Sequence, residues 1–276
     1  GIGYTEMASI LGTGEMWIRV PETIKVVIDG TLPDNVYAKD VILRLLGDLR
    51  SDGATYKALE ISGSAVDAMS VASRMTISNM AIEAGAKACL FRPDEKTCEY
   101  SKVAMDEVDW IYGDEDATYC KVMHYDARDL VPVCACPSQV DNIHDVKEIA
   151  GTKLDQVFIG SCTNGRLEDL EVAASILKGK KVAVKCIITP ASRKIYLEAI
   201  EKGYMQTLAE AGCIITQPGC GLCCGRSGGI LTDGEKVLAT NNRNFLGRMG
   251  TSKVGIYLGS PATAAVSAIA GEIVMP

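Results

Sequence analysis

The stretch Asp155–Lys202, DQVFIGSCTNGRLEDLEVAASILKGKKVAVKCIITPASRKIYLEAIEK, decides the fold class. Gln156 to Gly160 is an apolar run closed by glycine and reads as a strand. After a polar turn, Leu167 to Lys178 carries apolar residues at helical spacing, and Lys181 to Ile188 reads as a second strand. Thr189 and Pro190 read as an N-cap and first helical position ahead of a helix over Ser192 to Lys202. Strand and helix units of this length, repeated, imply an α/β protein whose sheet is largely parallel and covered by helices on both faces.

Toward the carboxyl end, Val237 to Ala239 and Val254 to Tyr257 read as further short strands, and Ser260-Pro261 opens a last helix through Ala270. Toward the amino end, Glu22 to Gly30 is rich in β-branched residues and reads as a strand. Lys39 to Leu49 reads as a helix on the spacing of Val41, Ile42, Leu45 and Leu46. Tyr56 to Ser62 reads as a strand, Val66 to Ala84 as one long, sparsely charged and buried helix, and Lys87 to Phe91 as a strand. Asp94 is a candidate N-cap, and Gly113 to Asp116 is a solvated acidic loop. Pro132, Pro137 and the polar run Ser138 to Asn142 interrupt the periodicity and mark the expected domain boundary. The opening Gly1-Ile2-Gly3-Tyr4-Thr5-Glu6-Met7 reads as a glycine turn followed by the first turn of a helix, so a segment upstream of Gly1 is expected. No internal repeat or low-complexity segment is found.

A chain of 276 residues, 47% of them apolar, has enough material for two cores. No run approaches the roughly 18 apolar residues of a membrane span. The net charge of −7 gives no general attraction for nucleic acid, so an anionic ligand has to be drawn in by locally placed arginines. The eleven cysteines are an odd number with no signal segment ahead of them, and the expectation is reduced thiols in a cytoplasmic protein. Cys89, Cys98, Cys120, Cys186 and Cys213 lie mostly in apolar or strand-like surroundings and are expected to be small buried hydrophobes.

Three other cysteines stand in a different context. Cys162 follows the strand Val157-Phe158-Ile159-Gly160 at the carboxyl edge of the expected parallel sheet, where ligand sites of open α/β sheets gather. Farther on comes Pro218-Gly219-Cys220-Gly221-Leu222-Cys223-Cys224-Gly225, in which glycines let the backbone turn two thiols toward one centre and leave room for a bulky group. One thiol plus a C-x-x-C pair makes three ligands. Structural zinc normally takes four ligands and electron-transfer clusters four cysteines, whereas an iron–sulfur cubane on three leaves one iron open. By spacing alone a cluster, a zinc site, a redox thiol pair and a plain glycine-rich loop all remain open.

The whole chain resembles the aconitase superfamily, in particular the large subunits of its two-subunit members, 3-isopropylmalate dehydratase and homoaconitase. The resemblance is carried by Gly3-Tyr4-Thr5-Glu6-Met7-Ala8, Asp52-Gly53-Ala54-Thr55-Tyr56, Ser78-Asn79-Met80-Ala81-Ile82-Glu83-Ala84-Gly85-Ala86, and Gly160 to Arg166. It continues through Cys220 to Gly225, Asn242-Arg243-Asn244-Phe245, Gly247-Arg248 and Ser260-Pro261-Ala262-Thr263-Ala264. It implies aconitase-like α/β/α domains with mainly parallel sheets: residues 1–33 finishing a first domain, 34–145 a second, and 146–276 a third that carries the cysteines. It also implies one 4Fe-4S cluster held by Cys162, Cys220 and Cys223, with Cys224 a bystander. Asn79 and Glu83, one helical turn apart, resemble residues that approach the open iron and its water. Arg243 and Arg248 resemble arginines that bind substrate carboxylates, and Asn242 an amide of the cluster surroundings.

What the resemblance implies chemically is dehydration of a hydroxy di- or tricarboxylate followed by rehydration at the adjacent carbon. Substrates of the 3-isopropylmalate class (leucine biosynthesis) and the homocitrate/homoaconitate class are not distinguished by these residues. The family's His-Asp and Asp-Ser-His segments, upstream of the Gly-Ile-Gly motif, are not in this sequence; His124 and His144 stand in other contexts, and neither is given a catalytic role. The swivelling domain with its serine base is expected on a separate small subunit, so this chain is expected to be inactive by itself. A reading from another class is a non-catalytic cluster-binding regulator or assembly subunit of the same fold, against which the acidic charge argues where the partner is RNA.

Overall fold

A computed structural model describes residues 3–276; the expected turn at Gly1 and Ile2 lies outside them. Among the described residues, eleven strands form two sheets. The first is fully parallel, in the order β3-β2-β1-β4, from β1 (Thr23–Asp29), β2 (Ala58–Ser62), β3 (Ala88–Phe91) and β4 (Lys121–Asp126). The second, in the order β6-β5-β11-β10-β7-β8-β9, comprises β5 (Val133–Ala135), β6 (Ile143–Asp145), β7 (Gln156–Gly160), β8 (Lys185–Thr189), β9 (Ile214–Ile215), β10 (Lys236–Ala239) and β11 (Gly255–Leu258). Its β11-β10-β7-β8-β9 part is parallel, while β5 and β6 add an antiparallel edge. The α/β class and the mainly parallel sheets are as expected from the strand–helix alternation.

The sheets divide the chain differently from the expected boundaries at 33/34 and 145/146. β1 is an inner strand of the first sheet, paired on both sides by β2 and β4, so residues 23–29 belong with 34–126. β5 and β6, before residue 146, pair with β11 and each other and belong to the second sheet. One core also crosses between the sheets. Alternate residues of the second sheet, Phe158, Ile187, Val237, Ala239 and Ile256, pack with Ile24, Val26, Ile42 and Leu46 of the first unit. The opposite side chains, Val157, Ile159, Ile188 and Leu238, pack with helices Leu167–Leu177 and Pro261–Ala270. Side chains of a strand alternate between faces, so each of these strands serves two cores.

Local structure departs from the expected elements where side chains compete for backbone groups. The stretch expected as one helix over 66–84 is three pieces: Ser64–Ala68, Val71–Met80 and a 3-10 turn Ala81–Ala84. Ser70 breaks it, because its Oγ accepts from Ser73 N at 3.0 Å and starts a new helix as an N-cap. Likewise Ser192, not Thr189, caps the helix Arg193–Glu201, since Thr189 is the last residue of β8 and pairs with Gly160. β8 itself starts at Lys185 rather than Lys181. Asp94 caps Glu95–Ser101 as expected, accepting from Thr97 N at 2.9 Å. Of the cysteines expected to be buried, Cys186 and Cys213 are, Cys89 and Cys98 are half-buried, and Cys120 is exposed near the start of the edge strand β4.

Candidate active site

β7 ends in Gly160, whose φ of +152 and tight surroundings require glycine: an added Cβ would lie 2.2 Å from Thr189 O. The chain then makes one short helical turn, Ser161–Asn164, starting with Ser161 at φ +71, and presents Cys162 as an exposed thiol. Cys220 precedes the 3-10 turn Gly221–Cys224 and Cys223 lies within it; Cys220 is exposed and Cys223 buried. Burial pushes the Cys220 thiol up from its ordinary range, followed by its neighbours Cys223, Cys162 and Cys224, so the predicted thiols share one neighbourhood. Cys224 turns to Gly221 O at 3.5 Å.

Glu83 arrives from the first unit. Its carboxylate is buried and accepts from Arg243 Nε at 2.8 Å and Asn242 Nδ2 at 3.1 Å. Burial raises its pKa, and the hydrogen bond and charge of Arg243 oppose the rise, with help from Asn242 and Arg248. Asn242 also faces Cys223, whose Sγ donates to its Oδ1 at 3.5 Å. Arg248 Nε donates to Cys223 O at 2.6 Å. Among the described residues, the terminal Nη amines of Arg243 and Arg248 have no protein hydrogen-bond partner, so both arginines are anchored by Nε and keep a face for another anion. Asn79, half-buried, precedes Glu83 by one turn, but the change from α-helix to 3-10 at Ala81 intervenes, and the two do not lie on one regular helix face.

The structure therefore brings together Cys162, Cys220, Cys223, Glu83, Asn242, Arg243 and Arg248. It also adds residues that no motif singled out. Asn241, fully buried, donates from Nδ2 to Cys223 Sγ at 3.6 Å and to Arg243 O at 2.9 Å. Thr76 Oγ1 donates to Thr163 O at 3.1 Å, tying the helix Val71–Met80, which leads into the Glu83 turn, to the Cys162 turn. Asp169 accepts from Asn164 Nδ2 at 3.0 Å and Arg166 N at 2.9 Å, holding the far end of that turn; burial raises its pKa to about 7. Three asparagines within Asn241–Asn244, directly after a strand, were the available signal for this loop. His124 is exposed in β4, and His144 meets Asn142 and Glu148, so neither enters the site. A cavity of about 680 Å³ nearby reaches Lys39, Thr76, Asn164 and Asp169 but is lined by neither the thiols nor the two arginines, so it is a separate space.

The donor set can be tested for fit to an inorganic cluster. Ser161 Oγ, Thr163 Oγ1, Asn164 Oδ1 and Asn241 Oδ1 are buried without a hydrogen-bond partner; the first three belong to the short turn that carries Cys162, and Asn241 bonds Cys223 through its other amide atom. Each orphan of that kind costs about 1–3 kcal/mol, and their concentration here suits a polar group seated among the thiols. Among the described residues no three His, Cys, Asp or Glu side chains gather closely enough to hold a single metal ion. A cluster does not require that, since each iron that the protein holds takes a single thiolate and the fourth takes none.

The chain matches the Aconitase family (aconitate hydratase) over residues 1–152 and 142–271. It is 54% identical over its whole length to a probable methanogen homoaconitase large subunit of Methanosarcina mazei, covering 71% of that protein. It is 51% identical to 3-isopropylmalate dehydratase large subunit 2 of Archaeoglobus fulgidus and 52% identical to 3-isopropylmalate dehydratase large subunit 1 of Thermotoga maritima, covering 67% and 68% of them. With a family match running nearly end to end, and relatives this similar over its full length, the chain belongs to the aconitase family.

Proposed function

We propose that this chain is the cluster-bearing large subunit of a hydro-lyase that isomerises a hydroxy di- or tricarboxylate, of the 3-isopropylmalate or homocitrate/homoaconitate class, by dehydration and rehydration. One observation carries the reading: the buried Glu83 carboxylate is gripped by Arg243 and Asn242, and Asn242 in turn meets the thiol of Cys223, which shares a neighbourhood with Cys162 and Cys220. Those three thiolates are the proposed ligands of one 4Fe-4S cluster, with Cys224 outside the set. When bound, such a cluster supplies an iron with an open position, a Lewis acid for a poor leaving group such as hydroxide.

The chain's own residues do the rest. Arg243 and Arg248 present their Nη amines to substrate carboxylates, for which the planar guanidinium fork is matched. Glu83, its pKa raised by burial, is suited to hold and release a proton at its carboxylate, and Asn242 fixes the orientation of that carboxylate. Asn79 lies close enough in sequence to line the same approach. The base that removes the carbon-bound proton is assigned to a small-subunit partner, in keeping with the large-subunit names of the relatives. All eleven cysteines are free, which suits a reducing, cytoplasmic setting, and no helix among the described residues is long and apolar enough to cross a membrane.

Anaerobic reconstitution with iron and sulfide tests the ligand set. Four irons per chain are expected, with near-complete loss in Cys162→Ser, Cys220→Ser and Cys223→Ser and full retention in Cys224→Ser. A full cluster in any of the first three variants would sink the assignment. Assay of the chain reconstituted with its small subunit, on 3-isopropylmalate and on homocitrate, then decides the substrate class.

A further inference from the structure

Lys39 is a lysine with no exposed surface, at the second position of the helix Ala38–Leu49. A cation there opposes the helix dipole, and a buried ammonium costs far more than an apolar side chain of the same length. The site explains what the charge does. Lys39 Nζ leaves the first unit, crosses to the second sheet, and donates to two successive carbonyls at the end of β10: Thr240 O at 2.7 Å and Asn241 O at 2.6 Å.

Each of those two residues holds a different thiol-bearing segment. The Thr240 hydroxyl accepts from Gly160 N at 2.9 Å and lies 3.4 Å from Asn164 O, and Gly160 and Asn164 bracket the turn that carries Cys162. The Asn241 amide donates to Cys223 Sγ. The next two residues, Asn242 and Arg243, are the pair that grips Glu83. We propose that Lys39 is a positioning residue: by fixing the Thr240 and Asn241 carbonyls it sets, from one point, the Cys162 turn, the Cys223 thiol and the Asn242–Arg243 grip on Glu83. The inference deepens the proposed function and rests on its ligand set, but the connections run through protein atoms alone and can be examined without a cluster.

Burial lowers the Lys39 pKa to about 7, with Asp169, Cys223, Asp40 and Glu83 pulling it back up, so negative groups surround the ammonium from both units. A lysine that only filled space would not need to end on the two carbonyls from which the site's connections diverge.

The test uses Lys39→Met in the full 276-residue chain. Per-cysteine alkylation by iodoacetamide is followed by mass spectrometry in the apo-chain, and after anaerobic reconstitution the electron paramagnetic resonance spectrum of the reduced cluster and its rate of iron loss to a chelator are recorded. Loss of hydrogen bonds to a charged group should speed both Cys223 alkylation and iron loss by about tenfold or more. The spectrum should change, while Cys186 and Cys213 in the core behind β8 stay as protected as in the parent chain. Equal acceleration at all buried cysteines with an unchanged spectrum would show a general packing role and overturn the proposal, as would no change at all. Should Lys39→Met not fold, Thr240→Val decides. It keeps the Lys39 contacts but cuts the arm to Gly160, so iron loss should quicken and the spectrum change while Cys223 stays protected; an unaltered spectrum and rate overturn the proposal. A parent chain that assembles no cluster would refute the ligand set, and the alkylation pattern would still judge Lys39.

Discussion

Replacing Arg243 by methionine isolates the ion pair on which the site is built. Methionine keeps much of the stem but removes the Nε–H that reaches Glu83 Oε1 at 2.8 Å. The Glu83 side chain is 3% exposed and that of Arg243 35%, so the carboxylate loses its main partner in a dry place while the guanidinium side is partly screened. Breaking a fully buried pair costs about 3–5 kcal/mol and losing a hydrogen bond to a charge about 1.5–3 kcal/mol; the exposure of Arg243 places the cost near the lower range, about 2 kcal/mol. The pH dependence carries the diagnostic sign. Burial raises the Glu83 pKa, so its contribution is full below the unfolded value and declines as pH rises through the folded one. Removing Arg243 raises the folded value further, and the gap between parent and variant must open with rising pH and close on acidification. Urea unfolding of the apo-chain at pH 5 and pH 8, for Arg243→Met, Glu83→Gln and the double variant, measures both gap and coupling. An equal deficit at both pH values, or a coupling near zero, would refute the pairing as the source of stability.

Three further changes probe the framework around that pair. Gly225→Ala places a Cβ 2.3 Å from Arg248 O at a φ of +64, a clash with backbone that cannot swing aside; cluster uptake should fail while circular dichroism stays near the parent, and normal iron content would contradict the geometry. Asp169, raised to about 7 by burial, binds more protons folded than unfolded between about pH 4 and 7, so its contribution falls as pH rises across that window. Asp169→Asn should flatten the fall by up to about 4 kcal/mol, leaving the share of the similarly raised Asp40; an unchanged pH–stability slope would count against it. Thr76→Val removes the hydroxyl that ties the helix Val71–Met80 to Thr163 O and should cost about 1 kcal/mol in urea unfolding, with no loss indicating that the contact is idle.

What could be read from the sequence was local in origin. The passage from β7 through Gly160 to Cys162 depends on neighbours in the chain, as do the Asp94 cap and the helix start at Ser260-Pro261, and all three were legible. The three-residue strands β5 and β6 were not, because pairing with β11 and with each other makes them strands and nothing within either run demands it. The break at Ser70 had a local cause, but the small apolar residues on both sides mimic one continuous helix. In the candidate site, cysteine spacing and motif context pointed to the three thiols, whereas Lys39 reaching β10 and Glu83 meeting Arg243 join residues far apart in the chain.

That distinction follows from where the site is built. The carboxyl end of β7, the Cys220–Cys223 turn and the Asn241–Arg248 loop come from the second sheet, while Glu83, Asn79, Thr76 and Lys39 come from helices of the first unit. Neither sheet has a complete site, and the shared core of Phe158, Val237 and Ile256 against Ile42 and Leu46 sets the distance between the halves. A packed core transmits displacement because it has few voids to absorb it. Truncating a side chain in that layer should therefore disturb the Glu83–Arg243 distance before it unfolds either sheet. The polar links across the same seam, Lys39 to the β10 carbonyls and Glu168 to Ser70 and Ser73, hold the register that the apolar layer leaves free, since dispersion and burial are not directional whereas hydrogen bonds are.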